Sequence, residues 1–227
     1  MEKVVKRREI IDHRFTKGGE IRLQRREEGV YELIYNGVFL MASSNDHSEK
    51  VLARKALQRL KPKSGEYEVL IGGLGMGFTL REVLTCPSVS RAVVIEIERA
   101  IIDWNRTFLF NLNGSALNDP RTVLVHCDLY SFFYDTREHF DAVLMDVDNG
   151  PNWLVLGKNK RLYTRKTLQK IKEILAPNGV LATWSAQRDE RYLRKMGSIF
   201  PQTEETRVEE TVPKKGESFI YVGRAGP

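Results

Sequence analysis

The sequence is short of cysteine, histidine and long apolar runs, and each shortage removes a class of function. Its two cysteines, Cys86 and Cys127, lie far apart in 227 residues and in no Cys-x-x-Cys spacing, so both read as reduced, buried thiols. With only four histidines and no ligand-like spacing, no metal is expected. No apolar stretch approaches the roughly 20 residues that span a bilayer. The opening "MEKVVKRREIIDHRF" is charged and lacks the apolar core of a signal peptide. The expectation is a cytoplasmic protein without a membrane partner. There is no repeat and no low-complexity linker. The net charge is +6, yet the basic residues of "KVVKRR", "RLQRR", "RKALQRLKPK" and "KNKRLYTRK" are spread along the chain among acids. That pattern favours a basic solvated surface over a dedicated nucleic-acid site.

What is present divides the chain near residue 62. Residues 20–42 read as extended, with "YELIY" and "VFLMA" flanking Asn36-Gly37, the strongest short hairpin signal. "EKVLARKALQRL" then sets Val51, Leu52, Ala56 and Leu60 on one helical stripe, and "KPKSGE" ends it. Residues 1–62 are therefore expected to form a small β-hairpin element plus a helix, and 63–227 the main domain.

In that domain apolar strands alternate with helices. The expected strands are 67–73, 91–97, 122–128, 140–148, 179–186, 205–211 and 218–224. Between them lie the helical patterns "GFTLREVLT", "RAIIDWNRTFLF", "TRKTLQKIKEILAP" and "ERYLRKMGSIF", with a short turn near "LYSFFYD". Near-continuous apolar strands between helices mean an α/β fold, doubly wound, its mostly parallel sheet covered on both faces. The last two strands are polar and joined by "VPKKGE", so they should form an antiparallel edge hairpin.

Ligands in such a sheet bind beyond the carboxyl ends of the strands. After the first strand, Gly73, Gly75 and Gly77 supply a tight turn whose missing β-carbons let a ligand lie on the backbone, with Met76 set among them. About 20 residues on, Glu96 ends "VVIEIE", where a carboxylate accepts hydrogen bonds from the hydroxyls of a ribose. Asp128 in "HCDLY" suits either an adenine amino group or the N-cap of the next turn. A Walker loop needs a Lys-Ser/Thr pair where Phe78-Thr79 stands, and a dinucleotide fingerprint needs glycine at Phe78. What remains is a nucleoside without a diphosphate, of the S-adenosylmethionine kind. The fourth strand ends in "LMDVDNGPNW", where Asp146 could take a proton from an attacking amine, and Asp148 and Asn149 serve either the substrate or an Asx turn.

The order of these motifs resembles the spermidine synthase (polyamine aminopropyltransferase) family within the class I methyltransferase-like superfamily. The residues that carry the resemblance are "YNGVFLMASSNDHSE", "VLIGGLGMGFTLREV", "VVIEIE", "DAVLMDVDNGP" and "LYTRKTLQKIKEILAPNGVLATWSA". It implies a seven-stranded Rossmann-like sheet and S-adenosylmethionine or its decarboxylated form as donor. It also implies Asp146 as proton acceptor, and a binding role for Asp46, His47, Asp148 and Asn149 toward a small-molecule amine, in a homodimer; Tyr163 and Trp184 are expected near the mouth of the site as further substrate contacts. The departures are specific. Met76 falls where the family has the aspartate that pairs with the donor's ammonium. Asn45-Asp46-His47-Ser48-Glu49 shortens the acceptor segment. Trp184-Ser185-Ala186 replaces Gln-x-Glu. Three functions follow as expectations: an aminopropyltransferase-like enzyme, a methyltransferase of a small molecule or RNA, and a catalytically silent adenosine-binding protein.

Overall fold

The computed structural model describes residues 8–61, 65–209 and 216–227 and contains two sheets. The first is an antiparallel meander of β1 (Arg8–Thr16), β2 (Gly19–Arg26), β3 (Tyr31–Tyr35) and β4 (Val38–Ala42). The Asn36-Gly37 turn forms as expected, with Asn36 at φ 49° and Gly37 at φ 75°, both in the left-handed region that a tight two-residue turn requires. Asn36 reinforces it by accepting from the Glu20 N–H at 2.9 Å and donating to the Gly18 carbonyl at 3.1 Å. Strand β1 was not foreseen. Its apolar side chains do not mark a buried face, for Ile10 and Phe15 are 57% and 80% exposed, so the period-two signal is weak.

Helix α1 (His47–Gln58) follows and buries Leu52, Ala53 and Ala56, a one-sided stripe at helical spacing. Each such leucine removed from water contributes roughly 2 kcal/mol. The helix lies against α2 (Phe78–Leu84) and the central strands, and the boundary expected near residue 62 lies outside the described residues.

The second sheet is built from β5 (Tyr67–Gly72), β6 (Val89–Glu96), β7 (Thr122–His126), β8 (Phe140–Met145), β9 (Leu175–Ser185), β10 (Gln202–Glu209) and β11 (Glu217–Arg224). Their order is β10-β11-β9-β8-β5-β6-β7, all running one way except β11, which pairs antiparallel with both β9 and β10 and so makes the expected antiparallel hairpin with β10 at the edge. Residues 210–215 of the expected strand end and turn lie outside the described residues.

Alternation sends Val69 and Ile71 of β5 to one face and Leu70 to the other. The first face is covered by α1, α2, α3 (Arg99–Arg106) and the N-terminal sheet, through Ile21, Leu23, Leu33 and Tyr35. The second is covered by α4 (Leu129–Asp135), α5 (Arg165–Ile174) and α6 (Glu190–Gly197). The expected helix through Pro177 stops at Ile174, and β9 begins at once, with Asn178 at φ 62° marking the irregularity in its pairing with β8.

The strand order fixes where a ligand can sit. The chain leaves β5 toward β6 and β7, then returns to place β8 and β9 on the opposite side. The crevice at that reversal opens beyond Gly72 and Met145, which are paired in register. Among the described residues, no helix is long and apolar enough to cross a membrane.

Candidate active site

A cavity of about 320 Å³ opens at this crevice, between the carboxyl ends of the parallel strands and the hairpin of β3 and β4. Its floor is the glycine loop. Gly73 has φ 90°, and a β-carbon there would stand 2.2 Å from the Asp146 carbonyl oxygen. Only glycine lets the two strand ends approach so closely. Gly75, at φ 52°, lies under Met41, whose sulfur a β-carbon would meet at 2.9 Å.

Gly77 and Met76 do different work from that expected. Neither lines the cavity. Met76 is fully buried in the core, and Gly77 at φ 82° opens α2, hemmed in by Asn105 and Asn113. Those two asparagines, unforeseen from the sequence, clamp the loop. Asn105 donates to the Gly75 carbonyl at 2.8 Å, and Asn113 donates to the Asn105 side-chain oxygen at 3.0 Å.

The side of the cavity at the end of β6 is fully wired. Buried Glu96 accepts from the Leu74 N–H at 3.0 Å with one oxygen and from the Glu98 N–H at 2.8 Å with the other. Burial pushes its carboxyl above the usual range, and these two amides pull the other way. Each oxygen keeps a second lone pair for a hydroxyl. Glu98, also on the wall, accepts from the Tyr35 hydroxyl at 2.6 Å, and this tethers the N-terminal sheet to the end of β6. The spacing of Glu98 two residues after Glu96 was a signal available in the sequence. Its pairing with Tyr35, 63 positions away, was not.

Asp128 lines the cavity and fills one of the two roles expected of it, the N-cap. One oxygen caps α4 through the Ser131 N–H at 3.1 Å, and the other accepts from Arg161 at 2.7 Å. The Arg161 guanidinium in turn lies 4.4 Å from the ring centre of Tyr130, another wall residue.

Across the reversal stands Asp146, one residue past β8. Burial raises its carboxyl to about 6, against the pull of the Thr79 hydroxyl that donates to it at 2.6 Å. Asp148, at φ 63°, is committed to its own loop. It accepts from the Leu156 N–H at 3.1 Å and the Asn159 amide at 2.9 Å, as well as from the Val155 N–H. It thereby holds residues 149–159, including half-exposed Trp153, at the cavity mouth. Asn149 and Trp184 are on the wall. Tyr163 is not; it is buried behind the wall and donates to the Val147 carbonyl at 2.8 Å. Asp46 and His47 also lie away from the cavity. Asp46 pairs with Lys50 at 2.9 Å and with Arg81, and these cations outweigh its burial and hold its carboxyl below the usual value. The same segment instead brings Ser48 and Glu49 to the wall, and β11 brings Glu217 and Ser218, none of them expected.

Among the described residues, the wall carries seven carboxylates and not one lysine, arginine or histidine: Glu49, Glu96, Glu98, Asp128, Asp146, Asp148 and Glu217. In a chain of net charge +6 this is a local inversion of sign, which concentrates cations and repels anions. Among the described residues, no group of three or more His, Cys, Asp or Glu side chains could hold a metal ion.

Comparison with known proteins agrees with this layout. Residues 49–203 match the family described as "Spermine/spermidine synthase domain". A polyamine aminopropyltransferase of Saccharolobus solfataricus is 36% identical over 126 residues, which is 54% of this chain and 38% of that protein. Polyamine aminopropyltransferase 2 of Pseudomonas aeruginosa is 31% identical over 203 residues, 84% of this chain and 54% of that protein. The match thus spans about half or less of these curated relatives. A crystal structure of spermidine synthase in complex with the transition-state analogue AdoDATO superposes with a TM-score of 0.82 at 21% identity, over 96% of this chain and 74% of that one. That of spermidine synthase from Thermotoga maritima gives 0.80, also at 21%. At that identity the superpositions speak for the fold.

Proposed function

The chain belongs to the spermine/spermidine synthase domain family, and from that premise we propose that it transfers an aminopropyl group from decarboxylated S-adenosylmethionine to the nitrogen of a small amine. The observation that carries this reading is the cavity wall of seven acids without a cation. A sulfonium nucleoside with an ammonium tail and an amine acceptor are all cationic, and such a wall favours them. Intact S-adenosylmethionine would bring a carboxylate to a wall with no basic side chain to meet it. Methyl transfer is the weaker reading for that reason, and an RNA substrate would bring phosphates to the same acids.

In this reading the doubly accepting Glu96 holds the ribose hydroxyls. The backbone of Gly73 and Gly75 lies under the donor's sulfur-bearing chain, and Asp128 and Tyr130 border the adenine. The donor supplies an electrophilic carbon beside its sulfonium. The acceptor nitrogen attacks that carbon, the carbon–nitrogen bond forms as the carbon–sulfur bond breaks, and methylthioadenosine leaves. The nitrogen's proton goes to Asp146, whose carboxyl near 6 is ionised at neutral pH yet basic enough to receive it. Loop 149–159, held by Asp148, covers the mouth and limits water. Pairing of two copies through the N-terminal sheet, where Ile10 and Phe15 are exposed, belongs to the same reading, and the molar mass in solution by light scattering tests it.

Calorimetry with decarboxylated S-adenosylmethionine, S-adenosylmethionine and methylthioadenosine, coupled to an assay for released methylthioadenosine, tests the transfer. Tighter binding of the decarboxylated donor and amine-dependent release are expected. Equal or tighter binding of the intact donor overturns the aminopropyl assignment.

A further inference from the structure

Asp148 stands two residues past Asp146, and its carboxylate has no acceptor site left to offer. One oxygen accepts from the Asn149 N–H at 3.2 Å and from the Val155 N–H, the other from the Leu156 N–H at 3.1 Å and the Asn159 amide at 2.9 Å. Two bonds to each oxygen use all four lone-pair sites of a carboxylate. The other acids on this side are engaged as well. Glu49 accepts from the Ser48 hydroxyl at 2.9 Å, Glu217 pairs with Arg207, and Asp146 is needed at the reacting nitrogen.

What flanks Asp146 instead is carbon. Its N–H donates to the Gly72 carbonyl at 2.9 Å, so it continues the line of β8. β8 and β9 pair Met145 with Thr183, which sets Asp146 beside Trp184 on strands about 5 Å apart. Both side chains lie on the face toward α1 and α2: Asp146 meets Thr79 of α2, and Trp184 packs on the apolar cluster of that face. Trp184 is partly exposed and lines the cavity, but its Nε1 is buried, so its side chain can show the cavity only carbon. Val155 and Leu156, fixed beside Asp148 by their own amides, line the same cavity and pack on the same cluster. At the mouth, Trp153 and Phe39 add two more apolar surfaces, 45% and 38% exposed.

We propose that the second substrate is an amine with one cationic nitrogen on an apolar body, and that Trp184, Val155 and Leu156, with Trp153 and Phe39 at the mouth, form the subsite for that body. This rests on the transferase reading and narrows its acceptor from any amine to a hydrophobic monoamine. Selection has two sources. Carbon buried against these residues is favourable, whereas a second ammonium led along the same stretch gives up its water for a carboxylate that is already saturated.

The test compares pentylamine with the linear diaminobutane of the same length, in which an ammonium replaces the terminal methyl. Both are measured by calorimetry on the methylthioadenosine-saturated protein and by turnover with decarboxylated S-adenosylmethionine. Pentylamine should bind about tenfold more tightly, the combined factor for one buried methyl and one ammonium spared desolvation. Val155→Thr, which keeps the shape and the N–H that Asp148 accepts, should reduce that ratio to about threefold or less. Trp153→Ala, at the exposed mouth, should weaken pentylamine by about threefold and leave the diamine unchanged, and it carries the comparison if Val155→Thr does not fold. Equal binding of the two amines, tighter binding of the diamine, or no binding of either overturns the subsite. A preference for pentylamine without turnover leaves the subsite standing and counts against transfer alone.

Discussion

The two sides of the cavity are finished to different degrees. On the proposed nucleoside side every acid has its protein partners before a ligand arrives: Glu96 with Leu74 and Glu98, Glu98 with Tyr35, Asp128 with Ser131 and Arg161. On the acceptor side Asn149, Trp184 and Ser218 retain unpaired groups, and Asp146 has a single neutral hydroxyl for company. One side is preorganised before a ligand arrives, and the other leaves Asp146 lightly held. Substitutions on the two sides should differ accordingly, the acceptor side in turnover and the nucleoside side in affinity or folding.

The widest separation should come from Asp146→Asn. Turnover is expected to fall by about 10²–10⁴, the range for loss of a general base, while methylthioadenosine affinity stays within about threefold. Stopped assay and calorimetry read the two quantities on one preparation. Parallel losses would merge the two sides into one unit.

Next in size is Gly73→Ala, at the seam between them. The new β-carbon would meet the Asp146 carbonyl at 2.2 Å with φ at 90°, and neither backbone can yield. A loss of about 2–4 kcal/mol is expected in urea denaturation. An unchanged midpoint would mean that the strand ends can part.

Asp146 also opposes folding at neutral pH. Its carboxyl rises from the ordinary 3.8 to about 6 in the folded protein, so its contribution to stability is complete below 3.8 and is lost as pH rises through 6. Asp146→Asn should therefore stabilise the fold at pH 7.5 by about 1–2 kcal/mol and make no difference at pH 3.5. Urea midpoints at the two values check the sign. Nucleoside-side Glu96, also raised by burial, should behave in the same direction.

The halves were also unequally legible in the sequence. Glu96, Gly73, Gly75 and Asp146 sit at strand ends, and a strand end is readable from the apolar run before it; all four reach the cavity. The mostly parallel sheet and the antiparallel edge hairpin were readable too, but the last strand, read as polar, is buried through Phe219, Ile220, Tyr221 and Val222, because β10 covers its outer edge. Asp46, His47 and Tyr163 were placed by motif order alone, and local contacts to Arg81, Asn45 and Val147 take them elsewhere. Met76 looked like a ligand contact because a glycine loop seems all surface, but its side chain turns into the core as the loop enters α2. Glu49, Tyr35, Glu217 and Ser218 were invisible, since only the packing of β3, α1 and β11 around one crevice brings them together.

Tyr35→Phe probes the preorganised side with a smaller effect. It removes the donor that Glu98 accepts at 2.6 Å and leaves the ring. Methylthioadenosine should bind about 3–10-fold more weakly, a part of the roughly 1.5–3 kcal/mol that a hydrogen bond to a charged group is worth, since the bond positions Glu98 and does not itself touch the ligand. The ratio of turnover between two amines should not move. A change in that ratio with affinity intact would place Tyr35 with the acceptor side.

The smallest effect should come from Thr79→Val, which keeps shape and removes the hydroxyl that donates to Asp146 at 2.6 Å. That hydrogen bond favours the ionised carboxylate, so its loss raises the pKa further from about 6. The rising limb of the rate against pH should move up by less than about one pH unit, with the plateau above it nearly unchanged. Thr79→Ser should restore the original limb. A lowered plateau with the limb in place would mean that Thr79 sets the position of Asp146 and not its basicity, and the acceptor side would then be held as rigidly as the nucleoside side.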